Sequence, residues 1–91
     1  NAMTITGGFT NSTSATFKAN TGSVSTSGNW NNSSTFNAGT GSVTFNSASA
    51  QTLTGATTFY NLIRSAGGSL TLSNSITVGN ILTLTSGNII T

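Results

Sequence analysis

Few side chains in this sequence are able to carry out chemistry. Lys18 and Arg64 are the only charged residues, and the sequence has no Asp, Glu, His or Cys. Proton transfer near neutral pH, glycoside hydrolysis by paired carboxylates and metal binding all depend on those missing side chains. The sequence therefore predicts no catalytic residue, no cofactor and no metal site, and we expect the protein not to be an enzyme.

Serine is the one nucleophile that the composition leaves open. A serine nucleophile needs a neighbouring base, and Lys18 is the only candidate because arginine stays protonated. A lone lysine on a polar strand is more often a solvated surface charge, so a Ser–Lys dyad is the weaker interpretation. Two separated cations form no patch for phosphates, and the longest apolar runs are short, such as Ile89-Ile90. We expect neither a nucleic-acid partner nor a membrane span.

Four small residue types make up most of the chain. Of 91 residues, 19 are Thr, 15 are Ser, 12 are Asn and 11 are Gly, a composition that alone would suggest a flexible linker. Regularly spaced β-branched and aromatic residues argue against disorder. They recur mostly every six or seven residues, at Phe17, Val24, Trp30, Phe36, Val43, Leu53, Phe59, Leu70, Ile76, Leu82 and Ile89. This spacing predicts short strands that bury one face.

The chain also resembles itself at a fixed shift in sequence. Residues 16–25 and 35–44 are identical at seven of ten positions. One column of aliphatic residues keeps the same spacing through the chain: Ile5, Val24, Val43, Leu62 and Ile81. A period of about 20 residues indicates a solenoid, because one unit cannot bury its own apolar face. We therefore predict that these five side chains touch in one dry vertical stack.

The predicted fold is all-β: a three-sided, single-stranded parallel β-helix, right-handed, with about 19 residues per coil and four to five coils. Turns would lie at Asn and Gly, which tolerate positive φ. Two further inner faces are expected, formed by Phe17, Phe36, Phe59 and Val78 and by Leu53, Leu70, Leu72 and Ile89. Tyr60 interrupts a column of glycines, so we expect a local bulge or a wider corner there. The alternative is an antiparallel β-sandwich, which also uses short strands and Asn/Gly turns.

The chain reads as part of a longer protein. Residues 1–3 look like the remnant of an expression tag, and residues 4–91 are predicted to be one solenoid segment cut from a longer repeat protein. Isolated solenoids usually need polar caps, and no cap is obvious here. The apolar pair Ile89-Ile90 near the end therefore predicts end-to-end self-association.

A family resemblance is carried by the run Gly28-Asn29-Trp30-Asn31-Asn32 and by the segments 35–46 and 82–87. Residues 15–91 resemble repeats of very long bacterial extracellular proteins, similar to adhesins and autotransporter passengers, in which β-helical rods hold binding domains away from the cell. The resemblance implies a structural or adhesive stalk at the bacterial cell surface or in the extracellular space. It also implies neighbouring repeats of the same polypeptide, and host glycans or surfaces, as partners.

Two other functions fit particular residues. An ice-binding solenoid would present a flat ladder of outward threonines, for which the candidates are Thr35, Thr52, Thr54 and Thr71. A carbohydrate-binding module would use exposed aromatic rings as stacking platforms, for which the candidates are Trp30 and Tyr60. The plainer interpretations, threonine as a general strand former and Trp30 as a corner or core residue, stay open at this point.

Overall fold

A computed structural model describes residues 2–11 and 16–91, so that Asn1, in the predicted tag remnant, lies outside the described residues. The strands are β1 (Ala2–Ile5), β2 (Phe9–Asn11), β3 (Thr16–Lys18), β4 (Ser23–Thr26), β5 (Trp30–Asn32), β6 (Thr35–Asn37), β7 (Ser42–Phe45), β8 (Gln51–Thr54), β9 (Thr57–Arg64), β10 (Ser69–Leu72), β11 (Ile76–Leu84) and β12 (Asn88–Ile90). Every pairing between described strands is parallel. The β-solenoid is therefore confirmed, and the antiparallel sandwich is wrong. The described part of the chain holds no helix that is long and apolar enough to cross a membrane.

Each coil has three sides. Side A is the sheet β1-β4-β7-β9-β11, and side B is the sheet β2-β5-β8-β10-β12. Side C begins with β3 and β6 and continues with the first halves of β9 and β11, which pair with each other. Five strands on sides A and B correspond to about four full turns of the solenoid. Because the strands within each side are parallel, successive coils follow the same path, and each coil can cover the apolar side chains of the coil before it.

The predicted aliphatic column is present on side A in the middle of the solenoid. Val24, Val43 and Leu62 lie side by side at the spacing that the repeat predicts, and none is more than 3 % exposed. The column continues to Met3 in the first coil and to Leu82 in the last coil. This stack is the dry contact between successive coils that the sequence repeat predicts.

The prediction is wrong for the two outer residues of the column, Ile5 and Ile81. Ile5 lies beside Thr26, and the neighbour of Val24 is Met3, which stands two positions earlier in the sequence than the repeat requires. Ile81 lies beside Asn61 and is 55 % exposed. The constant spacing therefore fails at both ends of side A, where neighbouring residues of the column are farther apart in sequence than in the middle.

A β-bulge in β11 explains the error at Ile81. Gly79 and Asn80 together lie opposite the single Tyr60 of β9. One extra residue reverses the side to which the following side chains point, so Leu82 takes the inward position. The bulge expected at Tyr60 is therefore confirmed, in the strand that pairs with it, whereas a wider corner is not found.

The corner at Tyr60 is in fact shorter than the corners before it. Turns at residues 19–22 and 38–41 separate sides C and A in the earlier coils, but β9 passes from side C to side A without a turn. The A–B corner of residues 46–50 compensates, since the neighbour of Trp30 on side B is Leu53, which stands four positions later than the repeat requires. The insertion and the deletion cancel, which keeps the spacing on side A unchanged.

Aromatic rings fill the space between the sides. Trp30 is fully buried, and its ring centroid lies 4.1 Å from that of Phe9, 5.0 Å from Phe36, 5.4 Å from Phe59 and 5.8 Å from Phe45. The other two predicted inner faces are confirmed by the neighbouring pairs Phe17/Phe36, Phe59/Val78, Leu53/Leu72 and Leu70/Ile89. The aromatic core residues therefore all lie in the first three coils, beside the aliphatic column of side A, whereas the apolar core residues of the last two coils are all aliphatic.

Candidate functional site

The threonine candidates on side B form only a short row. Thr52 and Thr71 are neighbours in adjacent coils and point outward. Before Thr52 the row continues with Asn29, whose side-chain oxygen accepts a hydrogen bond from the Thr52 N–H at 2.9 Å. After Thr71 it continues with Ile90. Two threonines between an amide and an aliphatic side chain do not make an extended hydroxyl ladder.

The other two candidates belong to different rows. Thr54 is exposed beside Asn31 in the second outward row of side B. Thr35 is exposed on side C, beside Thr16. Thr52 and Thr71 therefore align as the repeat predicts, whereas the predicted continuation of the ladder to Thr35 is wrong, because the longer coil between Trp30 and Leu53 shifts the first two coils against the later ones.

A longer threonine row lies on side C, and the sequence prediction missed it. Its members are Thr16, Thr35, Thr58 and Thr77, all of them exposed. Thr16 pairs with Thr35 and Thr58 pairs with Thr77, whereas β6 and β9 are not paired, so the row consists of two separate pairs. The signal was present in the sequence: each of these threonines directly precedes one member of the predicted inner face at positions 17, 36, 59 and 78. This row, the side C threonine row, presents four hydroxyl and methyl groups to solvent.

The prediction that Trp30 stacks against a sugar is wrong. The side chain has no exposed surface, and a ring enclosed by four phenylalanines offers no face to a ligand. Its indole N–H has no hydrogen-bond acceptor among the described residues. Ring packing therefore stabilises the position of Trp30, although its buried indole N–H lacks a hydrogen bond.

Tyr60 is half-buried at the outer surface of the C–A corner. It lines a shallow groove of about 380 Å³ together with Asn37, Thr58 and Gly79. The groove exists because the turn at residues 38–41 has no counterpart in the next coil, which leaves a step in the surface. An aromatic ring beside amide and hydroxyl groups is suited to a polar ligand, so the stacking hypothesis now rests on Tyr60 alone.

The two cations lie in opposite environments. Lys18 is exposed on side C beside Asn37. Arg64 is 0 % exposed and points inward from β9, in the column that also contains Phe45. Burial lowers the pKa of Arg64, because desolvation disfavours the charged form. The chain has no carboxylate side chain that could pair with this guanidinium.

Hydrogen bonds to oxygen atoms take the place of an ion pair at Arg64. Nη1 donates to the Phe45 carbonyl at 2.8 Å and to Gln51 Oε1 at 3.0 Å. Nη2 donates to the Ser47 carbonyl at 2.7 Å, and Nε donates to the Gly68 carbonyl at 3.0 Å. Arg64 thus joins the long A–B corners of two successive coils.

The Arg64 cluster extends through the A–B corner into the earlier coils. The Gln51 side-chain amide donates to the carbonyls of Thr26, at 3.0 Å, and of Gly28. Thr26 Oγ1 in turn donates to the Gly7 carbonyl at 3.0 Å. Sequence reasoning missed this polar column because arginine is rarely buried. The alternation along β9 was the available signal, since Arg64 stands two residues after the inward Leu62.

A second polar column fills the corner between sides B and C. The Asn11 side-chain amide donates to Asn32 Oδ1 at 2.9 Å and to the Thr35 carbonyl at 2.8 Å. Asn32 Nδ2 donates to Thr57 Oγ1 at 3.2 Å, and all three polar side chains that form the column are buried. Among the described residues, the side chains of both columns bond to one another and to backbone groups inside the rod, so the columns stabilise the corners.

Comparison with protein-family models, with curated proteins and with solved structures gave no match. The candidate surfaces are therefore those that the geometry defines: the side C threonine row, the Tyr60 groove and the two ends of the solenoid.

Proposed function

We propose that this chain is a non-catalytic structural or adhesive stalk segment of a bacterial cell-surface or secreted protein. The observation that carries the proposal is the stacking of the side A column, in which Val24, Val43 and Leu62 bury one another at the same position of successive coils. A fold in which each coil contacts only its neighbours grows in one dimension as coils are added. Such a fold sets a distance between the elements at its two ends.

The outer surface supports the same proposal. Side chains that point outward are mostly Thr, Ser and Asn, which are neutral at every pH that a cell exterior meets. The described surface carries a single exposed side-chain cation, Lys18, and the chain has no acid or imidazole that would titrate. We infer that the partners are neighbouring coils of the same polypeptide and, for an adhesive role, neutral host glycans or surfaces.

Surface display tests the stalk role. One, two or three copies of the chain, joined end to end, are placed between a membrane anchor and a fluorescent reporter. The distance from membrane dye to reporter is then measured by energy transfer. Each copy is expected to add the same length, four to five coils at about 4.8 Å per coil. Reporter distances that do not increase in equal steps would overturn the proposal.

A folding control belongs to the same experiment. Val43→Asp places an unpaired charge in the middle of the buried column and is expected to unfold the segment. Thr54→Asp places the same charge on an exposed position of side B and is expected to leave the fold intact. Only the Val43 variant should lose the regular increase in distance.

A second candidate function, ice binding, is favoured by the side C threonine row. Paired threonines in adjacent coils repeat hydroxyl and methyl groups at the strand spacing of about 4.8 Å. Two such pairs on one side of the solenoid can hold ordered water. Thermal hysteresis and ice-crystal shape give the test. Thr58→Lys should abolish ice shaping, whereas Thr54→Lys on side B should preserve it. Absence of ice shaping by the unmodified chain would refute this candidate.

A further inference from the structure

The exposed apolar side chains lie at the two ends of the solenoid. The large hydrophobic residues that are exposed in the described part of the chain are Met3 in the first coil and Ile81, Leu82, Leu84 and Ile90 in the last. Met3 and Leu82 are 47 % and 50 % exposed, yet they belong to the side A column whose middle members are buried. Their exposure therefore reflects their place in the first and last described coils, and not an outward orientation.

Both ends also present the open edges of sheets. β1 and β11 are the outer strands of side A, and β2 and β12 are the outer strands of side B. An outer strand directs backbone N–H and C=O groups away from its sheet, which makes it a template for a further strand. The strands at both ends run in the same direction, so a first coil placed on a last coil would continue the parallel ladders.

The inward columns match across such a contact. Met3 and Leu82 are the first and last residues of one inward column. Ile5 and Leu84 are the first and last residues of another. No charge opposes the contact among these four apolar side chains. Placing one end on the other would therefore cover apolar surface with apolar surface and pair open strand edges at the same time.

We propose that a second copy of this chain stacks head-to-tail on these ends, with the first coil of one copy on the last coil of the other. The contact uses two different surfaces of each copy, so it does not close on itself and builds filaments. Pairing of two last coils is the less suitable arrangement, because it would turn the facing strands antiparallel and would break the parallel register of the solenoid. This inference goes beyond the stalk role and does not rest on it.

Two variants with one blocked end each test the proposal. Leu82→Lys blocks the last coil and Met3→Lys blocks the first coil, and both positions are about half exposed in the single copy. Lysine on an outer strand opposes strand addition. Leu84→Lys is a second variant at the last coil, and Thr54→Lys adds the same charge to the side of the rod. Circular dichroism and cooperative melting verify the fold of each variant before its mass is measured by analytical ultracentrifugation.

The expected masses distinguish the arrangements. The unmodified chain and Thr54→Lys should grow beyond dimers as concentration increases. Met3→Lys and Leu82→Lys should each stay at 9.1 kDa alone, whereas their equimolar mixture should form a dimer of twice that mass. The proposal is overturned if the unmodified chain remains monomeric, if Met3→Lys alone still dimerises, or if the mixture stays monomeric. None of these outcomes changes the reporter-distance test of the stalk role.

Discussion

Removing the buried guanidinium of Arg64 should destabilise the fold strongly. In Arg64→Met the side chain keeps an unbranched apolar stem but loses all four hydrogen bonds that the guanidinium donates. The bonds to the Phe45 carbonyl and to Gln51 Oε1 are buried, whereas those to Ser47 and Gly68 lie nearer to solvent. Water can replace the outer two bonds. The two buried acceptors lose a donor at a cost of about 1–3 kcal/mol each, which gives about 2–6 kcal/mol in total.

Two features of the Arg64 cluster favour the lower part of this energy range. The Phe45 carbonyl also accepts the Ser65 N–H at 3.2 Å, and Gln51 Oε1 also accepts the Ser47 N–H at 3.1 Å, so neither acceptor becomes fully unpaired. This favours the lower half of the range. Relief of the desolvation that lowers the Arg64 pKa acts in the same direction, because methionine carries no charge into the core.

Urea denaturation followed by tryptophan fluorescence measures the effect. Trp30 is the only tryptophan and is fully buried, so its emission reports on the core directly. Lys18→Met is the matched control, since it removes the only other charged side chain from an exposed position and should change stability by less than about 0.5 kcal/mol. The reasoning about Arg64 is refuted if Arg64→Met is as stable as the unmodified chain while it keeps the same cooperativity.

Three further outcomes are expected. Gly39→Ala should lower the free energy of unfolding by about 1–3 kcal/mol, because Gly39 has φ +55° and the added methyl group would collide with the Asn20 carbonyl oxygen. Gly67→Ala, where nothing lies near the added methyl group, should leave the free energy of unfolding unchanged in the same urea titrations. Asn32→Ala breaks two buried side-chain bonds and should cost about 1–3 kcal/mol, whereas the exposed Asn31→Ala should leave the melting temperature unchanged. The free energy of unfolding should stay constant between about pH 4 and 7, because no Asp, Glu or His changes its proton occupancy on folding; a slope in pH-dependent urea titrations would contradict this.

The pH dependence that Arg64 contributes to stability is confined to the interval between its pKa values in the folded and the unfolded chain. Its pKa is lower in the folded chain than in the unfolded chain, because burial disfavours the charged form. Between those two pKa values the unfolded chain binds more protons than the folded chain, so stability rises with pH there. At lower pH both states are protonated, and the cost of burying the charge is constant.

The sequence was sufficient to predict the fold in the middle of the chain. The constant spacing between Val24, Val43 and Leu62 corresponds to a real contact between coils. A core position for Trp30 was one of the interpretations left open, because its neighbours on side B, Phe9 and Leu53, are separated from it by more than one repeat in sequence and by unequal numbers of residues. A search at one fixed period therefore does not detect it. Coil length varies at corners, where an inserted residue displaces no buried side chain, so a fixed period predicts columns only between such insertions.

The same distinction explains why the candidate sites were predicted less well than the fold. The ladder reaches Thr35 only if every coil has the same length, because Thr35 and Thr54 are then neighbours in adjacent coils. The threonines on side C are found instead from the predicted inner face at positions 17, 36, 59 and 78, because each of them directly precedes one member of that face. A surface row depends on the alignment of every coil, whereas a core column requires only that apolar residues face inward.

The position of the one buried charge in the described part of the chain has a structural explanation. In a regular coil the backbone groups of each strand and turn bond to the coils on either side, so no side chain is needed to supply donors. The A–B corner of residues 46–50 breaks that regularity, because the path from Phe45 to Leu53 is four residues longer than the equivalent path from Thr26 to Trp30. Part of its backbone therefore has no counterpart in the coil before it. Arg64 donates to the carbonyls of Phe45 and Ser47, at and beside this insertion, and to that of Gly68 in the next corner. The one buried charge in the described part of the chain thus lies where the repeat is interrupted. A regular coil without such an insertion needs no buried arginine to donate hydrogen bonds to its corner carbonyls.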